Sequence, residues 1–325
     1  MDISVLSNNL IIFAVLMLIG FVAVKTRAVN KQVVEAVSLF VIRVVMPAMV
    51  FSMISSTAER SMLLRSIPFL IAAYVAYLLF AIVGFISGKA ARLKGDTFKL
   101  HIAQCMFNNE IYMGTVLVGA LLGSSGLFYL SLYIIVTSTL LWTFGVYLTS
   151  GGSQSKGILG GVGKMINPAT GAMVAGMMFV ILDIRPMELD WVIFGMRPVG
   201  TIFEAIRDLG NTAPYIAMVY VGAALALMKV ARMINRLGTY FIVIFKMMLC
   251  PIVIYSVLWL LRGVFDFEAR MVLTIIASLP GMVTVTMLAE ANGSDAEYGA
   301  AATLVTTVLG LFTMPIVFAF LNWLF

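Results

Sequence analysis

Long apolar runs separated by short polar segments recur along the whole chain. Each run is about 20 residues long, which is the length that an α-helix needs to cross the hydrocarbon core of a bilayer. A glycine- and serine-rich polar stretch, 150–166, lies between a first half, 1–149, and a second half, 167–325, and is typical of a flexible linker. The runs predict ten transmembrane helices, near residues 5–24, 32–55, 67–88, 98–122, 126–149, 168–184, 201–227, 239–261, 269–290 and 298–323.

The composition supports a membrane protein. Of the 325 residues, 62% are hydrophobic and only 11% are charged, whereas about a quarter of a soluble domain is charged. The excess of basic over acidic residues is what cytoplasmic loops of membrane proteins carry, so it does not indicate a nucleic-acid partner. The chain has a single histidine and no pattern of metal ligands, which predicts an all-α integral membrane protein without a cofactor.

Short matches relate the two halves of the chain. Each half holds five predicted helices, and because five is odd, the second half must enter the membrane from the opposite side. Such inverted repeats are typical of secondary transporters. The aligned positions are Pro47 with Pro214, Gly123 with Gly293 and Tyr129 with Tyr298, at offsets of 167–170 residues.

The basic residues of the short loops predict the orientation. Most of them follow the first, third, fifth and seventh helices, and Lys and Arg accumulate on the cytoplasmic side. We therefore expect both termini outside the cytoplasm, the linker 150–166 inside it, and the protein in the cell membrane.

Polar residues interrupt the fourth predicted helix in the stretch "CMFNNEIYMGTVL". An ionisable residue at this depth is costly and is treated as functional by default. We expect Glu110 to carry a proton or bind a cation such as Na⁺ together with Asn109, and Asn108, Asn109, Glu110 and Tyr112 to contact a substrate. The alternatives are a neutral carboxyl bonded to a neighbouring helix and asparagines that only join helices.

The repeat offset aligns this polar stretch with Pro280 and Gly281 in the ninth helix. Proline removes a backbone donor and clashes with the preceding turn, so a mid-helix break is predicted there, the alternative being a plain kink. Backbone groups exposed at a break are tolerated only where protein or water satisfies them. We therefore expect two broken helices that meet at a substrate and ion site. Thr284 is expected to line it, the alternative being a hydroxyl bonded to its own helix.

Two basic residues lie inside predicted helices. Arg43, in the second helix, is too deep for its side chain to reach the interface easily, and we expect it to bind a substrate carboxylate or to pair with Glu110. Lys246 lies nearer the cytoplasmic end of the eighth helix, so we expect its ammonium to extend to the interface. We expect His101 to be an interfacial residue as well.

Several segments resemble the auxin efflux carrier family: "MPAMVFSMI" (46–54), "NPATGAMVAGMMF" (167–179), 107–148 and 277–305. The resemblance implies two inverted five-helix repeats with crossing broken fourth and ninth helices, a fold similar to the bile acid–sodium symporters. It also implies a scaffold and homodimer interface from helices 1, 2, 6 and 7, and a moving domain from helices 3–5 and 8–10. Glu110 and Val116 depart from the family, which has glycine and proline at these positions.

These observations predict a secondary active transporter for a small organic anion, in particular a carboxylate, that works by alternating access. The drive would be an H⁺ or Na⁺ gradient or the membrane potential, and the partners would be the lipid bilayer and the anion. The alternative is a membrane-embedded sensor of the same fold that does not transport. An enzyme is not expected: "GSSG" (123–126) fits a rhomboid serine-protease pattern, but His101 lies at the opposite end of that helix, too far to act as the base.

Overall fold

The computed structural model describes residues 3–57, 66–151, 168–182, 184, 198–227 and 236–324, which are almost entirely helical. From residue 152 on, the predicted linker lies outside the described residues. In the first half, the helices are α1 (Ile3–Lys25), α2 (Lys31–Phe40), α3 (Met46–Thr57), α4 (Ile67–Ala90), α5 (Gly95–Met106), α6 (Thr115–Leu140) and α7 (Val146–Leu148). In the second half, they are α8 (Pro168–Ile181), α9 (Pro198–Asn211), α10 (Ala213–Leu227), α11 (Leu237–Phe241), α12 (Cys250–Leu260), α13 (Phe267–Ser278), α14 (Val283–Ala291) and α15 (Ala296–Leu324).

Some of these helices are joined by π-helical turns rather than by loops. A π-helical turn holds an extra residue, which changes the face that later side chains present, and such turns are frequent at functional sites. Gly123 instead turns the chain inside α6, with a left-handed φ of 62° that glycine adopts without steric cost. The π-helical segments are Val41–Val45, Glu110–Gly114, Leu141–Gly145 and Ile242–Leu249.

Apolar side chains cover the outside of the helical bundle, as the sequence predicts for a protein in lipid. Ile71, Leu78 and Leu260 are each at least 60% exposed. Among the described residues, six helical stretches are long and apolar enough to cross a membrane: Asn8–Lys25, Ile67–Ala90, Glu110–Leu140, Pro198–Leu227, Leu237–Leu260 and Ala296–Leu324. Other predicted membrane helices are divided into shorter pieces, such as α13 and α14.

Close helix contacts fix the relative positions of these elements. α1 packs along α10, and α3 packs against α8 and α9, while α4 packs on α5 and α12 on α13. At the first of these contacts, a side chain on Gly20 would overlap the carbonyl of Val219, and one on Gly222 would overlap Met17. Glycine therefore allows the two backbones to touch, as small residues do between membrane helices.

Candidate functional site

The fourth predicted helix is interrupted at the polar stretch. α5 ends at Met106, Phe107 is extended (φ −97°, ψ 123°), and helical structure resumes with the π-helical turn at Glu110. The Nδ2 atom of Asn108 donates to the carbonyl of Met106 at 3.4 Å. Asparagine offers the backbone such local hydrogen bonds in place of helical ones. A break therefore forms here although Val116 replaces the expected proline.

The ninth predicted helix is interrupted at Pro280 and Gly281, as the proline predicts. α13 ends at Ser278, and Leu279 is extended (φ −66°, ψ 152°), which is the conformation favoured before proline. α14 begins at Val283.

The two interruptions lie against each other. Asn108 and Gly281 form an antiparallel bridge. The N–H of Asn109 donates to the carbonyl of Pro280 at 2.9 Å, and the N–H of Met282 donates to that of Phe107 at 3.0 Å. Backbone groups released by each break are thus satisfied by the other break, as buried backbone requires. We call this meeting point, residues 107–110 with 279–282, the crossing.

Gly281 makes the close approach at the crossing possible. A Cβ atom at this position would collide with the side-chain oxygen of Gln104 and would lie 3.4 Å from its backbone oxygen. The Nε2 atom of Gln104 is itself held by the hydroxyl of Thr286 at 3.0 Å. The N–H of Gly281 donates to the hydroxyl of Thr306 on α15 at 3.1 Å.

Lys246 is a site residue that the sequence reasoning missed. Its side chain is fully buried, and its Nζ atom donates to the carbonyl of Leu279 at the crossing. The prediction that its ammonium extends to the cytoplasmic interface is therefore wrong. The residue lies in the π-helical segment Ile242–Leu249. The repeat offset contains a signal for it, because residue 246 aligns with Tyr77, which also lies beside Glu110.

The crossing and its surroundings hold buried polar atoms without hydrogen-bond partners. Both oxygens of Glu110, both side-chain polar atoms of Asn109, and the side-chain oxygens of Asn108 and Gln104 have none among the described residues, and neither has the hydroxyl of Tyr133. An unpaired buried polar group costs free energy, so each one in a native protein needs an explanation. A bound ligand, ion or water that the polar atoms contact would supply it.

Glu110 shares its buried environment with aromatic hydroxyls and one cation. It lies near the hydroxyls of Tyr77 and Tyr133 and near the ammonium of Lys246. The hydroxyl of Tyr77 is engaged with that of Thr137 at 2.6 Å. Among the described residues no salt bridge of 4 Å or less joins Glu110 to Lys246. The carboxyl and the ammonium therefore occupy one buried region without direct contact.

The other predicted site residues lie at different distances from this centre. Tyr112 is buried one turn beyond the crossing, and its hydroxyl donates to the sulfur of Met46 on α3 at 3.6 Å. Thr284 is half-buried in the first turn of α14. Arg43 lies in the π-helical segment Val41–Val45 with its side chain exposed. The structure thus brings the asparagines, Glu110, Pro280 and Gly281 together, and it leaves the Arg43 side chain on the surface.

His101 is not interfacial, contrary to the expectation. Its side chain is fully buried, with Nε2 2.7 Å from the hydroxyl of Ser87 and Nδ1 2.6 Å from the hydroxyl of Tyr298. It therefore joins α4, α5 and α15 through polar contacts. Both of its ring nitrogens are engaged, which gives it a structural role in this conformation.

The apolar helices and this buried polar centre define a multi-pass membrane protein in contact with lipid. The chain belongs to the membrane transport protein family, whose model matches residues 5–318. This match confirms the resemblance to the auxin efflux carriers. The family consists of transporters rather than enzymes. No curated protein matches the chain significantly.

Proposed function

We propose that the protein is a secondary active transporter for a small organic anion, in particular a carboxylate, driven by an ion gradient or by the membrane potential. The observation that supports it best is the buried crossing, where Asn108, Asn109 and Glu110 present polar atoms without partners. Polar side chains beside broken helices near mid-membrane are typical of substrate and ion sites in secondary transporters.

Two N-terminal helix ends and an amide donor at the crossing could bind an anion. The helical segments that begin at Glu110 and Val283 direct N-terminal ends toward the crossing, and N-terminal helix ends carry partial positive charge. The ammonium of Lys246 offsets the negative charge that Glu110 carries when it is ionised, and the amide of Asn109 has no hydrogen-bond partner among the described residues. Glu110, with Asn109, is the candidate for carrying the coupling proton or cation. Tyr112 and Thr284 are further candidate contacts of the substrate.

Alternating access would require one group of helices to move against another. We assign α1–α3 and α8–α10 to a scaffold that would also form a homodimer, and α4–α7 with α11–α15 to a moving domain. The contacts of α1 with α10 and of α3 with α8 and α9 support the first group. This arrangement would follow from two inverted repeats of five membrane helices in the cell membrane. Both termini would lie outside the cytoplasm, and the linker would lie inside it.

Uptake by purified protein in proteoliposomes tests the proposal. A panel of small carboxylates, each with a neutral amide analogue, would be assayed under imposed H⁺ and Na⁺ gradients and a membrane potential. We expect at least one carboxylate to accumulate above equilibrium, and Asn109→Ala to reduce its accumulation about tenfold, the effect of losing roughly 1.4 kcal/mol of site interaction. Asn8→Ala, an exposed asparagine in α1, is the matched control and should leave uptake unchanged.

The same vesicles distinguish transport from sensing. A transporter loaded with unlabelled substrate should exchange it for labelled substrate, whereas a sensor of the same fold would bind the anion without moving it. Binding that raises the melting temperature of the protein, together with no uptake and no exchange in either direction, would contradict the proposal.

A further inference from the structure

The buried ammonium of Lys246 occupies an unusual position. It donates to the carbonyl of Leu279, and Leu279 is the residue that caps the C-terminal end of α13. The last carbonyls of a helix have no partner within it and carry partial negative charge. The carbonyl that receives the ammonium therefore lies at the negative end of a half-helix inside the protein.

Carbonyls at the C-terminal ends of half-helices bind cations in other transporters. In transporters with broken helices, unwound backbone carbonyls and the C-terminal ends of half-helices coordinate the coupling Na⁺. Here the positive charge beside such a carbonyl comes from a side chain of the protein. The ammonium has the charge of a monovalent cation and contacts the kind of carbonyl that coordinates one.

The charge balance of the surroundings supports this assignment. The groups that interact electrostatically with Lys246 are Glu110 and the thiols of Cys105 and Cys250. When Glu110 is ionised, its carboxylate balances the ammonium. A Na⁺ ion added beside them would leave a net positive charge in a buried site, and an uncompensated buried charge is strongly unfavourable.

We propose that Lys246 is a tethered cation that fills a monovalent-cation position at the end of α13, so that the crossing binds no Na⁺ there. The proposal adds to the proposed function the expectation that uptake is independent of Na⁺. Only this expectation rests on the proposed function. Lys246 is then a positioning residue that holds Leu279 at the crossing.

The melting temperature of the purified protein tests the assignment without any need for transport. Na⁺ replaces choline at constant ionic strength. We expect no change for the wild type and none for Lys246→Arg, which keeps the charge. Lys246→Ala should melt lower in choline and recover several degrees with Na⁺, because a ligand that binds the folded state raises its stability. Lys31→Ala, which removes an exposed lysine from α2, should behave like the wild type.

A rise of the wild-type melting temperature with Na⁺ would overturn the assignment, as would a Lys246→Ala protein that does not respond to Na⁺. If Lys246→Ala does not fold, the wild type and Lys246→Arg still decide: a Na⁺ response in either one overturns the assignment. The proposed function fails separately, through absence of uptake and exchange. Na⁺-independent melting without uptake would retain the tethered cation and reject the transporter.

Discussion

The two breaks at the crossing align in the predicted repeats but are built differently. In the second break, Pro280 and Gly281 shape the backbone, and side chains from elsewhere satisfy it: Lys246 binds the Leu279 carbonyl and Thr306 accepts from Gly281. In the first break there is no proline, and Asn108 and Asn109 interrupt the helix.

This difference gives the first break the polar groups that could bind a ligand and gives the second break a structural role. At the first break, the carboxyl of Glu110, the amide of Asn109 and the side-chain oxygen of Asn108 have no hydrogen-bond partners among the described residues. The second break presents backbone donors and acceptors that are engaged. We therefore expect substitutions in the first break to change transport more than folding. Substitutions in the second break should change transport through the fold.

Glu110→Gln should have the largest effect on transport. It keeps the shape of the side chain and removes its charge, and the carboxyl oxygens have no hydrogen-bond partner among the described residues, so little folding free energy should be lost. We expect concentrative uptake to fall about 100-fold, as when a charged interaction of roughly 3 kcal/mol is lost. Uptake and melting temperature would be measured side by side, with the exposed Glu35→Gln as control. Unchanged gradient-driven uptake would remove Glu110 from the coupling step.

Gly281→Ala should damage the framework of the second break. The added methyl group collides with the Gln104 side chain, whose amide is already bonded to Thr286. Overpacking of this kind costs about 1–3 kcal/mol, so we expect a lower melting temperature and a roughly tenfold loss of uptake. Gly263→Ala is the matched control, since a Cβ atom there meets nothing within 4 Å. Equal melting temperatures for the two variants would mean that the crossing does not need glycine.

The sequence predicted the second break from a chemical rule, because proline removes a backbone donor and clashes with the preceding turn of a helix. It predicted the first break through the repeat offset and the family resemblance, since asparagine interrupts helices less strictly than proline. The family match then confirmed the class of protein. These predictions used residue types and spacing, which a single chain displays directly.

The burial of Lys246 and the exposure of Arg43 could not be predicted in this way. Both lie in π-helical segments, where one extra residue per turn changes the face that a side chain presents. Distance from the helix end suggested a surface position for Lys246, and it is buried. Depth suggested an inward position for Arg43, and its side chain is exposed. Helical periodicity from sequence assumes regular turns, so it is unreliable at such residues.

Pro280→Ala separates the proline from the glycine beside it. The carbonyl of residue 280 would still accept from the N–H of Asn109, and Gly281 would still allow the close approach. We expect a loss of uptake of about threefold, which corresponds to less than 1 kcal/mol. Pro315→Ala, which removes a proline from inside α15, is the control for a general proline effect. A loss as large as that of Gly281→Ala would show that proline, rather than the paired backbone, maintains the break.

Arg43→Ala should have the smallest effect on uptake, and it compares a residue outside the crossing with those inside it. Its exposed side chain is separate from the buried polar centre, so we expect uptake of a carboxylate to fall less than about twofold, within the range of a surface charge interaction. The measurement is binding of an anionic substrate and of its neutral amide analogue, with Arg262→Ala as an exposed control. A selective loss of the anion by tenfold or more would mean that Arg43 reaches the substrate in another conformation. Residues of the first break and Arg43 of the second predicted helix would then both contact the substrate.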